Sequence, residues 1–134
     1  MKFDVVQPDL FLRRVWWADA AVSAVVGVAM AAAAAPLSAL TGLPERLLAA
    51  AGLALLPYAA FLAWLATRQR VQRVAAWLPV PINVVWAIDC IALAATQPAP
   101  GAALIAFIAV QVVTVLAFAE LQYIGMRRLS RLAV

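Results

Sequence analysis

The chain has 134 residues, of which 68% are hydrophobic and only 12% charged, with a formal net charge of +4. A soluble globular domain is roughly 45–50% apolar and about 25% charged, so this composition leaves too little polar material to cover a water-facing surface. It excludes a water-soluble monomer, and the length excludes a second domain once four spans of about 20 residues are placed.

The first fifteen residues mix charged and apolar positions and read as an interfacial lead-in, with Pro8 and Asp9 placed where a helix can begin. The first span is predicted over 16–40 and ends near Pro36 and the turn Thr41-Gly42-Leu43-Pro44. Within it Asp19, Ser23, Gly27 and Ala31 recur every four residues, a small and polar stripe that marks a packing face. Arg13-Arg14, the apolar run and Ala31–Ala35 have the outline of a cleaved export signal. Asp19 and the continuation to Leu40 favour an uncleaved span.

The second span is predicted over 46–67, kinked at Pro57. An arginine-bearing connector leads to a third span over 80–96. The turn Gln97-Pro98-Ala99-Pro100-Gly101 precedes a fourth over 102–125. These spans are apolar around most of their circumference, and a short chain in lipid must satisfy its backbone within helices, since the alternation of a β-barrel is absent. The expected fold is an all-α, up-down-up-down bundle of four transmembrane helices forming one unit over 1–134.

Nine of the ten basic residues fall on one side of this arrangement: Lys2, Arg13, Arg14, Arg68, Arg70, Arg73, Arg127, Arg128 and Arg131, with Arg46 alone opposite. The positive-inside rule then places both termini in the cytoplasm. Trp16, Trp17, Trp64 and Trp77 map to the same boundary and Trp86 lies deeper, as an aromatic belt requires. Anionic lipid is the expected partner of Arg13, Arg14, Arg68, Arg70, Arg73, Arg127, Arg128 and Arg131, and nucleic acid is not. The helices are expected to pack with further copies or with a larger membrane protein.

Intramembrane charges are costly, about 2.5–3.5 kcal/mol at a helix centre, and point to structure or function. Counted from the predicted boundaries, Asp89 falls near the midplane without a countercharge. Tyr58 and Thr114 lie at comparable depth, and the three form a candidate intramembrane polar site. Such a carboxyl either hydrogen-bonds between helices or handles a proton or ligand. Asp19 and Glu120 count as shallower, and with Asn83 and Gln122 they form a candidate cytoplasmic-side cluster.

Catalytic chemistry finds little support. There is no histidine, one cysteine (Cys90), no phosphate-binding glycine loop and no CxxC pair. Neither a metal site nor a cofactor is expected. The Ala-rich chain with FAELQYIGMRR near its end resembles small bacterial inner-membrane proteins, which implies a multi-pass inner-membrane location. The leading expectation is a non-catalytic accessory or interaction protein that binds anionic lipid at its cytoplasmic face. The alternative is a small proton-coupled transporter or ligand-binding protein using Asp89.

Overall fold

The computed structural model describes residues 5–132. Four segments are long and apolar enough to cross a membrane: Leu10–Ala32, Glu45–Thr67, Arg73–Ala95 and Ala102–Arg131. The fold is helical apart from one minimal ladder at the arginine-bearing end, where β1 (Val5–Val6) pairs antiparallel with β2 (Val71–Gln72). That ladder was not expected; it fastens the start of the chain to the connector before the third span, and Val6 and Val71 are buried beneath it.

Helix α1 (Leu10–Ala32) starts six residues earlier than the predicted span. Asp9 is its N-cap and accepts a hydrogen bond from the Leu12 amide at 2.9 Å, so residues 10–15 of the expected lead-in are helix. The helix breaks at Ala33 and α2 (Ala34–Thr41) carries the chain onward. Pro36 explains the break: it has no N–H for the Ala32 carbonyl and its ring crowds that oxygen, whereas the first turn of a new helix tolerates it. Gly42, at φ +79°, closes α2 in the left-handed conformation that glycine adopts without strain.

α3 (Glu45–Thr67) coincides with the second predicted span and runs unbroken through Pro57. The third span is divided, with α4 (Arg73–Trp77) giving way at Leu78 to α5 (Pro79–Ala95), whose first residue is a proline. α6 (Ala102–Leu132) outlasts its prediction by almost two turns, so the arginine-rich tail is helical.

The long helices associate as two pairs, α1 with α3 and α5 with α6, and the pairs meet mainly where α6 touches α1. The α1–α3 seam is a backbone contact. A methyl group added at Gly27 would stand 2.7 Å from the Gly52 carbonyl oxygen, and one at Gly52 would stand 2.6 Å from that of Gly27. The stripe of small residues on α1 is the face that meets α3: Asp19, Ser23 and Gly27 are buried and Ala31 partly so. Two apolar cores fill the ends. One gathers Leu12, Trp16, Leu62, Leu65 and Met126, and the other Met30, Leu43, Leu48, Leu104 and Ile108.

Trp16 therefore departs from the expected belt. It is fully buried and its indole N–H has no partner among the described residues, while Trp17 and Trp64 are about half exposed. The helix begins early enough to carry Trp16 inside, one turn before Asp19.

Candidate functional site

Asp19 lies near the middle of α1 because the helix starts at Leu10, and it is only 2% exposed. Four side chains from four helices donate to its carboxylate. Ser23, one turn further along α1, donates to Oδ1 at 3.1 Å. Tyr58 of α3 donates its hydroxyl to Oδ2 at 3.0 Å, and Asn83 of α5 donates an amide N–H to the same oxygen at 3.1 Å. Gln122 of α6 makes the shortest contact, from Nε2 to Oδ2 at 2.7 Å. A second Asn83 N–H reaches Gln122 Oε1 at 3.0 Å, so the two amides hold one another in the orientation that presents donors to the acid. The contacts have Asp19 as acceptor throughout, and none comes from a basic residue. Donor dipoles take the place of a countercharge.

This arrangement unites three members of one expected cluster, Asp19, Asn83 and Gln122, and leaves out the fourth. Glu120 is exposed on the opposite side of α6 from Gln122. The other expected grouping does not form. Tyr58 turns to Asp19, Asp89 is exposed and bonds to neither partner, and Thr114 lines a cavity beside Asp19. Asp19 is central because α1 begins at Leu10, and Asp89 is off-centre because the third span includes α4 and begins at Arg73, so Asp89 stands fewer than about two turns before its end at Ala95. Ser23, expected as a packing residue, also bonds to the acid, because a spacing of four brings two side chains together on a helix.

Two cavities separate the helix pairs. One of about 180 Å³ abuts the carboxylate and is lined by Asp19, Ser23, Leu55, Trp86, Gln111 and Thr114. The other, of about 320 Å³, includes Met30, Leu48, Trp86, Asp89, Phe107 and Gln111 in its wall. Trp86 and Gln111 border both. The indole N–H donates to Gln111 Oε1 at 3.0 Å, and Gln111 Nε2 makes a long contact of 3.6 Å with the Met30 sulfur. This Trp86–Gln111 partition was not anticipated from sequence, where the two residues are 25 apart and on different spans.

At the arginine-bearing end, Arg13 is half-buried and turned inward, donating from Nη1 to the Ala66 carbonyl at 2.8 Å and from Nε to that of Pro8 at 3.3 Å. It caps the last turn of α3, a role different from the lipid contact expected of it. Arg73 reaches Ser130 Oγ at 3.5 Å. Arg14, Arg68, Arg70, Arg127, Arg128 and Arg131 are exposed. Arg68 lies over the Trp64 ring at 5.6 Å, Arg127 over Tyr123 at 5.7 Å and Arg128 over Phe11 at 5.2 Å. The contacts of Arg13 with α3, Arg73 with α6 and Arg128 with α1 show that these helix termini gather at one end. No known protein family, curated protein or solved structure matches the chain.

Proposed function

We propose that the protein is a non-catalytic accessory component of a bacterial inner membrane, held with both termini in the cytoplasm and binding anionic lipid through its arginine-bearing end. The observation that carries this reading is the set of exposed guanidinium groups at that end, three of them resting on aromatic rings. An arginine parked on Trp or Tyr at a membrane boundary keeps its N–H fork free for phosphate while the ring enters the head-group region. An up-down-up-down course agrees with the contacts: α1 positions 13, 19 and 27 meet α3 positions 66, 58 and 52 in reverse order. The absence of a catalytic role is supported by Asp19, whose accessible lone pairs are mostly taken up by the protein's own donors.

Lipid retention tests it. Native mass spectrometry of protein extracted from vesicles of phosphatidylcholine and phosphatidylglycerol should show bound phosphatidylglycerol. The quadruple change of Arg68, Arg70, Arg127 and Arg128 to Gln should remove most of it. Equal retention of both lipids by the wild type would overturn the reading. Orientation has its own check: in a Cys90→Ser background, a membrane-impermeant maleimide should label Thr96→Cys in intact cells and Ser130→Cys only after lysis.

A further inference from the structure

The larger cavity combines three features that point to a ligand. Its volume of about 320 Å³ is in the range of small-molecule sites, and it opens between the two helix pairs. Its wall is apolar and soft, with Phe107, Leu48 and Met30 lining it together with Trp86. That indole is fixed by its bond to Gln111, and Gln111 in turn contacts Met30, so the wall is preorganised. The third feature is charge. Asp89 is the one ionisable carboxyl in the lining, it is exposed, and it makes neither a hydrogen bond nor an ion pair with the described residues. Among the described residues, no cationic side chain lines the cavity.

A carboxylate in an apolar span needs either hydrogen-bond donors or a countercharge. The bundle supplies donors to Asp19 and none to Asp89, so the partner of Asp89 comes from outside the chain. A lipid acyl chain would fill the apolar part and leave the carboxylate unmatched, and an anion would be repelled. The π faces of Trp86 and Phe107 favour the same sign of charge as Asp89 does. We infer that this cavity binds a small organic cation with an apolar body, its ammonium group against Asp89 and its body between Trp86 and Phe107. The inference goes beyond the lipid-binding reading and does not depend on it.

The test uses benzyltrimethylammonium, whose charge is permanent, and its neutral isostere neopentylbenzene, with the full-length protein in maltoside micelles. Calorimetry should show one cation bound per chain, undisplaced by the neutral compound. Asp89→Asn should weaken binding by roughly tenfold or more, with an unchanged melting temperature because Asp89 holds nothing in the bundle. Trp86→Leu keeps the carboxylate and removes the π face and the Gln111 bond, and it should weaken binding by several-fold. Equal affinity in Asp89→Asn, or displacement by neopentylbenzene at the same concentration, would overturn the inference. If Asp89→Asn does not fold, unaltered binding in Trp86→Leu would overturn it too.

Discussion

Asp19 occupies the part of α1 where an unpaired charge costs most, and its hydrogen-bond shell explains why it is tolerated there. Oδ2 takes three donors and Oδ1 takes one, which fixes how the site responds to substitution. In Asp19→Asn the carbonyl oxygen can replace Oδ2 and keep the donors from Tyr58, Asn83 and Gln122. The new N–H₂ then faces Ser23 Oγ, which is able to accept. Asp19→Ala leaves those donors buried and unmatched. Titration with sodium dodecyl sulfate in mixed micelles should show about 2–4 kcal/mol lost in Asp19→Ala and about 1 kcal/mol in Asp19→Asn. Equal losses would mean that the shell contributes nothing beyond filling space. Membership of this cluster was legible from sequence for Asp19, Asn83 and Gln122, because polar residues in apolar spans seek one another. Tyr58 bonds to Asp19 and not to Asp89, and Glu120 stands outside the cluster. Depth fixes a residue along the helix axis, whereas pairing also needs the rotation of each helix, which the nearly uniform apolar spans leave unmarked.

Among the elements, α1 and α3 form the closest pair, and glycine is the reason. At Gly27 and Gly52 the obstacle to a side chain is backbone, which cannot rotate away. Gly52→Ala should therefore cost about 1–3 kcal/mol by the same unfolding assay. Gly101→Ala, with nothing within 4 Å, should be near neutral. Gly42→Ala meets no atom either, but its left-handed backbone penalises a side chain by about 1 kcal/mol, which separates conformational strain from crowding. Four helical spans were plain from apolar run length, and α3 agrees with its prediction to one residue. Gly27 was flagged by the four-residue spacing; Gly52 has no polar or small companion at that interval in a span already rich in Ala, so nothing set it apart. α1 starts six residues before its expected position for a local reason: Asp9 is its start signal, yet it lies beside mixed sequence that reads as interface. The start of α5 at Pro79 agrees with its expectation to one residue.

At the scale of the whole molecule, two tight pairs meet across cavities, and the Asp19 shell is the polar bridge between them. Chains 1–69 and 70–134 expressed separately in one cell should associate and co-purify, and Asp19→Ala should abolish the association while each half still inserts. Persistence of the complex in Asp19→Ala would place the bond between halves in apolar contact alone. The same bridge has a consequence for biogenesis. Asp19 enters the bilayer with only Ser23 beside it, gains Tyr58 when α3 is made, and meets Gln122 after 103 further residues have been synthesised. Until the last helix inserts, a half-ligated acid stands in the lipid. A chain truncated before α6 thus leaves the acid without its Gln122 donor, and the finished protein hides the charge by completing itself.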